Sequence, residues 1–164
     1  MERLSEPRDP RQWLMPPHAV NAYYSPVQHE VVMPAGILQA PYFNADADEA
    51  VNFGSIGAVI GHEVSHALDL RGFESGIRLL VSQTGALTVQ ETLADLSGLA
   101  IAHRAYRRSL RGRPAPELAG ASADQRFFLA WARIWREQSR PEFVRSQAGI
   151  SRYAPWAFRA NGLV

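Results

Sequence analysis

The sequence predicts a mainly helical α+β domain. Three stretches, Val51 to Leu70, Val89 to about Arg111 and Ala123 to about Gln138, repeat apolar residues at helical spacing. One stretch, residues 20–32, is instead rich in β-branched and aromatic residues around a turn signal. At 164 residues, 46% of them hydrophobic and 20% charged, the chain has material for one core and little for a second. We read residues 1–19 as an extended lead-in and residues 20–164 as a single folded lobe.

The lead-in follows from Pro7, Pro10, Pro16 and Pro17, which oppose helix, and its arginines read as solvated. In V-N-A-Y-Y-S-P-V-Q-H-E-V-V, Ser25-Pro26 sits between two short strand-forming runs, so a hairpin is expected. Pro34, Gly36, Pro41 and the acidic run Asp46, Asp48, Glu49 mark a loop anchored by Ile37, Leu38, Tyr42 and Phe43. The first helix should bury Ile56, Val59, Ile60, Val64, Ala67 and Leu68. Gly54, Gly57 and Gly61 each cost it about 1 kcal/mol, so tertiary packing with close backbone approach must hold it. Residues 71–88 read as a loop with one strand at Ile77–Val81. The second helix places Leu93, Leu96, Ala100, His103 and Leu110 on one face, with His103 as a packed core histidine. The third starts at a Ser122 cap and offers Phe127, Phe128, Trp131, Ile134 and Trp135 to the core. Arg140-Pro141 stops it, and a short helix leads into the tail.

Charge and composition remove several function classes. Seventeen basic against sixteen acidic residues leave a net charge of +1, with no field that would gather nucleic acid or anionic lipid. Zero cysteines exclude disulfides, thiolate metal sites and a cysteine nucleophile, whereas five histidines remain as ligands. The residues contain no signal-peptide core and no stretch of roughly 20 apolar residues. Compartment, oligomeric state and cleavage preference are not encoded in any of these patterns.

Chemistry concentrates in G-H-E-V-S-H at 61–66. His62 and His66 stand one helical turn apart, so both imidazoles leave one face and can occupy two corners of a tetrahedral zinc site. Glu63 sits one step round, where it can accept a proton from water that the metal has acidified to a pKa of about 7. A chance match in a buried helix is the competing reading. A third ligand would come from a histidine six residues after His66 or from a glutamate on another helix, and the first position is Gly72. Glu91, in E-T-L-A-D, lies near the start of the second helix with Asp95 one turn later. Glu91 can be a ligand with Asp95 orienting a ligand histidine, or it can be a favourable charge at a helix N-terminus and nothing more.

Here the sequence resembles the neprilysin-type zinc metallopeptidases, specifically their C-terminal catalytic lobe. The resemblance runs through V-N-A-Y-Y (20–24), P-A-G-I-L-Q-A-P-Y-F (34–43), V-I-G-H-E-V-S-H-A-L-D (59–69), E-T-L-A-D (91–95), F-F-L-A-W-A-R-I-W (127–135), R-P-E (140–142) and F-R-A-N-G (158–162). It implies a gluzincin-like lobe in which an active-site helix and a second, ligand-bearing helix stand beside a short N-terminal hairpin or edge strand. By resemblance, His62, His66 and Glu91 are the Zn2+ ligands, Glu63 the general base and Asp95 the acid behind a ligand histidine. Asn21 and Ala22 match the segment that bonds a peptide substrate's backbone, and Arg159 the arginine that grips a substrate carbonyl. By itself Asn21 reads as a turn residue and Arg159 as a solvated terminal charge. The implied function is a zinc endopeptidase acting on oligopeptides.

Three departures accompany the likeness. The interval from His66 to Glu91 is shorter than the family's. The family's oxyanion-stabilising histidine is here Tyr153, whose phenol can donate the same hydrogen bond. The large N-terminal helical lobe of complete members is not in this sequence. Tyr153 and the shortened interval favour the alternative reading, a truncated, inactive relative that serves as a peptide-binding or interaction module.

Overall fold

The computed structural model describes residues 13–68 and 88–161. Residues 1–12, the expected strand at Ile77–Val81 and Gly72 lie outside the described residues. Two strands, β1 (Tyr23–Ser25) and β2 (Glu30–Val32), form the expected hairpin, paired antiparallel as Tyr23↔Val32, Tyr24↔Val31 and Ser25↔Glu30. Ser25 helps close the turn, its Oγ accepting from the Gln28 backbone N–H at 3.3 Å. A 3-10 turn (Ala35–Ile37) follows.

The first predicted helix is a composite. It comprises α1 (Glu49–Asn52), a π turn (Phe53–Gly57) and α2 (Ala58–Ser65). Asp48 caps its start, accepting from the Ala50 N–H at 3.0 Å while also receiving Arg126 Nε at 3.1 Å. Beyond it lie α3 (Val89–Ser109), α4 (Ala123–Ile134), α5 (Pro141–Gln147) and α6 (Trp156–Asn161). Ser122 and Gln125 make a reciprocal capping box at the start of α4. Among the described residues no helix is long and apolar enough to cross a membrane.

The core is aromatic. Phe127, Trp131 and Ile134 of α4 pack with Leu99, Ala102 and Tyr106 of α3, and Phe128 and Trp135 flank them. This places the expected stripe of α4 inward.

Three expectations need correction. Ile60, Val64 and Leu68 are exposed, at 43%, 42% and 56%, whereas Ala58, Gly61, His62 and Ser65 form the buried face of α2. The reason is steric. A Cβ on Gly61 would lie 2.6 Å from the Gly98 carbonyl oxygen, and one on Gly98 would lie 2.6 Å from Ala58 O and His62 N. Helices this close admit no branched side chain between them. On α3 the buried face is Thr92, Asp95, Leu99, Ala102 and Tyr106, one residue out of phase with the expected Leu93, Leu96, Ala100 and His103. In its first half periodicity follows Leu93 and Leu96, which are half-buried, while the polar Thr92 and Asp95 are buried. Finally, α2 stops at Ser65 rather than Leu70, and α4 stops at Ile134 rather than Gln138. Trp135 leaves the helix to stack on Trp156, with ring centroids 5.8 Å apart. Pro141, expected only to terminate, starts α5 from the first-turn position that suits its fixed φ.

Candidate metal centre and cavity

The Gly61/Gly98 crossing brings α2 and the first turns of α3 side by side, so side chains from both meet just past it. His66 Nε2 lies 3.1 Å from His62 Nε2, and Glu91 Oε2 lies 3.2 Å from His62 Nε2 and 3.7 Å from His66 Nε2. A tetrahedral ion with bonds of about 2.1 Å sets its ligand atoms about 3.4 Å apart, close to all three separations. His62, His66 and Glu91 are thus a group that could hold a metal ion. Glu91 Oε2 supplies a second argument, since it is buried and, among the described residues, accepts no well-formed hydrogen bond, with only the two imidazoles of His62 and His66 beside it. An acceptor left so calls for a cation. Two imidazoles and one carboxylate are a donor set that fits zinc with one position open.

The other nitrogen of His62 is tied back to α3. His62 Nδ1 lies 2.8 Å from Asp95 Oδ1, and Asp95 in turn accepts from Arg159 Nε (to Oδ2, 2.6 Å) and Nη2 (to Oδ1, 2.7 Å). Arg159 is 4% exposed, so it is no solvated terminal charge. Its guanidinium stacks 3.5 Å above the Trp135 ring, with Tyr153 at 5.1 Å.

These contacts set the protonation states of the metal-free protein. Burial disfavours the His62 cation, but the Asp95 hydrogen bond and the carboxylates of Glu91 and Glu63 outweigh it and raise the pKa to about 9. Burial, joined by the positive charge of His62, holds His66 below the ordinary range. Glu63 is pushed up, chiefly by burial and then by Glu91, against the attraction of His62. Although burial opposes it, hydrogen bonds from His62 and Arg159 hold Asp95 below the usual carboxylate range. Burial and the neighbouring carboxylates raise the Tyr153 phenol, which therefore remains a donor at neutral pH.

A cavity of about 440 Å3 opens on this centre. His62, Glu63, Asp95 and Arg159 line one side, Val20–Ala22 and Tyr153 another, and Ile37, Tyr42, Val59, Ile134 and Trp135 give it apolar walls. The structure therefore places every expected site residue except His66 and Glu91 on the cavity wall, and those two complete the metal group behind it. One detail differs from expectation. Asn21 Oδ1 accepts from the Ala22 N–H at 2.9 Å, which leaves the Asn21 NH2 and the Ala22 carbonyl as the groups this segment could offer a peptide. Sequence reasoning missed Trp131 and Trp135, reading them as core alone. For Trp131 the indole N–H was the available signal, because a buried donor needs an acceptor, whereas Trp135 acts by stacking on Arg159, for which no local signal existed. His103, expected as a packed core histidine, is only half-buried, bonded to Asp124 at 2.9 Å and stacked on Phe128, and is not part of the metal group.

Comparison with known proteins bears on the same residues. The sequence profile of peptidase family M13 matches residues 21–84 and 77–164. Endothelin-converting enzyme 1 of Rattus norvegicus is 35% identical over 185 residues, covering 92% of this chain and 24% of the relative. An endothelin-converting enzyme homolog of Locusta migratoria is 33% identical over 99% of this chain and 27% of its own length. The chain therefore spans about a quarter of the length of these curated relatives. The 185-residue alignment is longer than the 164-residue chain, so the relative has residues within it that this chain lacks. The two profile segments overlap at 77–84, inside the interval between His66 and Glu91 where a shortening was expected.

Among solved structures, the zinc metalloprotease Zmp1 of Mycobacterium tuberculosis, crystallised with an inhibitor, superposes with a TM-score of 0.94 at 38% identity over 99% of this chain and 30% of that one. PepO of Lactobacillus rhamnosis superposes with a TM-score of 0.80 at 30% identity, over 95% and 28%. With profile, relatives and fold in agreement over nearly all its length, the chain belongs to peptidase family M13, a family of zinc metalloproteases.

Proposed function

We propose that this chain is the catalytic lobe of a zinc endopeptidase that hydrolyses oligopeptides, with His62, His66 and Glu91 holding the metal. The mutual approach of one atom each from His62, His66 and Glu91, at separations of 3.1, 3.2 and 3.7 Å, carries this reading. When bound, zinc supplies an acidified water and polarises the scissile carbonyl.

The remaining steps belong to the protein. Glu63, raised above its ordinary pKa, takes a proton from the attacking water on its carboxylate and delivers it to the leaving amine nitrogen. Asp95 holds His62 at Nδ1 and so directs Nε2 toward the metal position. Tyr153 donates its phenolic hydrogen bond to the oxyanion as the carbonyl carbon becomes tetrahedral. Asn21 and Ala22 align the peptide backbone. Arg159, both of whose bonded nitrogens point to Asp95, contributes charge at the cavity wall. The apolar walls at Ile37, Val59 and Ile134 suit an apolar substrate side chain.

Glu63→Gln tests this directly. The variant should keep its zinc and fold yet lose at least about a hundredfold in peptide hydrolysis, because an amide cannot take the proton. Equal rates in parent and variant would sink the assignment. The second reading, an inactive peptide-binding relative, draws on Tyr153, which stands in the family's histidine position and is 47% exposed. A zinc-loaded parent that binds a peptide without cleaving it would decide for that reading.

A further inference from the structure

The carboxylate that orients His62 is itself held by α6, and α6 is short. The last four carbonyls of any helix lack an intrahelical N–H, and in the six residues Trp156–Asn161 that shortfall includes Arg159. The Arg159 carbonyl instead accepts from Trp131 Nε1 at 2.8 Å, in the buried interior. Trp131 is wholly buried in the middle of α4, a helix fixed by its own capping box and aromatic face.

From that fixed point three links run to the metal position. The Trp131 indole holds the Arg159 backbone, the Arg159 fork holds both oxygens of Asp95, and Asp95 holds His62 Nδ1. Trp135 closes one face of the guanidinium at 3.5 Å, so the fork is restrained there as well. A phenylalanine would fill most of the space of Trp131. Only a residue with a ring N–H makes the first link.

We propose that Trp131 is a positioning residue of the metal site, its indole N–H fixing Arg159 and, through Arg159 and Asp95, the orientation of His62. The proposal rests on the reading of His62 as a metal ligand.

Zinc affinity, measured by competition with a chromophoric chelator at fixed pH, tests it without recourse to activity. Trp131→Phe keeps the ring and removes the donor, and should raise the zinc Kd about three- to tenfold. Arg159→Met should raise it about ten- to a hundredfold, and the double variant no further than Arg159→Met alone, since both break one chain. Phe127→Leu, a core change outside the chain, should lower the melting temperature at least as much as Trp131→Phe and leave Kd within about twofold. A Kd for Trp131→Phe within twofold of the parent, an equal loss in Phe127→Leu, or additive losses in the double variant would overturn the proposal. His62→Ala tests the underlying ligand reading by itself: parental affinity in that variant defeats the reading, and the proposal with it. If Trp131→Phe does not fold, coupling can be read in the parent, because it is reciprocal. Zinc should then slow solvent exchange of the Trp131 indole proton more than that of the Phe127 amide, and equal slowing of the two would overturn the proposal.

Discussion

The two main helix contacts of this domain are built from opposite materials. Around α4, apart from the Gly54 backbone lying on Phe127, large side chains fill the space: Phe127, Trp131, Tyr106 and Leu99 leave water together, each stabilising by about 1.5–3 kcal/mol. Where α2 crosses α3 there is no such volume. Gly61 meets Gly98, and the buried groups beyond are His62, Thr92 and Asp95. Burying these costs free energy unless each finds a partner, and among the described residues the set is incomplete, since Glu91 Oε2 and Thr92 Oγ1 make no well-formed hydrogen bond. The aromatic contact holds the fold, and the small, polar contact holds the chemistry.

If that division is right, similar losses of stability should have different consequences for metal binding. Asp95→Ala strands the buried Arg159 charge and should cost about 3–5 kcal/mol in urea unfolding of the metal-free protein. Phe127→Ala opens a cavity and should cost about the same. Zinc affinity should fall about ten- to a hundredfold in the first alone. Comparable affinity losses in both would erase the contrast between the contacts. Gly98→Ala should cost less, about 1–3 kcal/mol, because the added methyl would meet Ala58 O and His62 N at 2.6 Å and force the helices apart. Its larger effect should again be on zinc binding, through displacement of His62 from Asp95.

Acidity distinguishes the contacts next, because the shifted pair His62 and Asp95 lies at the polar one. In the metal-free protein the His62 pKa is raised from 6.5 to about 9, so its contribution is fully present below pH 6.5 and is lost as the pH rises through 9. Asp95 is shifted the other way. Its contribution is present above the ordinary carboxylate range and is lost as the pH falls through its lowered value. The melting temperature of chelator-treated protein should therefore fall between pH 6.5 and 9. Saturating zinc, which requires the ring nitrogen that faces it to be free of its proton, should flatten or reverse that slope. The same fall with and without zinc would show that His62 does not face the metal.

How much of this was legible follows the same division. The hairpin at Ser25-Pro26, the Ser122 cap and the inward aromatic stripe of α4 came from patterns whose physics is local or hydrophobic. The H-E-x-x-H spacing placed His62 and His66 on one face, and of the three glycines expected to allow close backbone approach Gly54 and Gly61 make it, against the backbones of Phe127 and Gly98, whereas Gly57 does not. Periodicity failed on α2, where the buried residues are small or charged and Ile60 and Val64 face out, and on the first half of α3, where the polar Thr92 and Asp95 are buried and Leu93 and Leu96 only half-buried. Nor could local patterns show that Trp135 would leave α4 to meet Trp156, or that Arg159 would be buried on Asp95, sixty-four residues away in sequence. Those outcomes depend on contacts between distant elements.

The smallest predicted effect bears on the sharpest of these failures. Periodicity places Val64 in the core, and burial there would make Val64→Ser cost well over 1 kcal/mol. The structure leaves Val64 42% exposed, one position beyond the buried Glu63. Val64→Ser should therefore change unfolding free energy by no more than about 0.5 kcal/mol and leave zinc affinity unchanged. A loss near the buried-core figure would mean that the outer stripe of Ile60, Val64 and Leu68 is covered in solution, and that the small-residue crossing is not the only contact holding α2 in place.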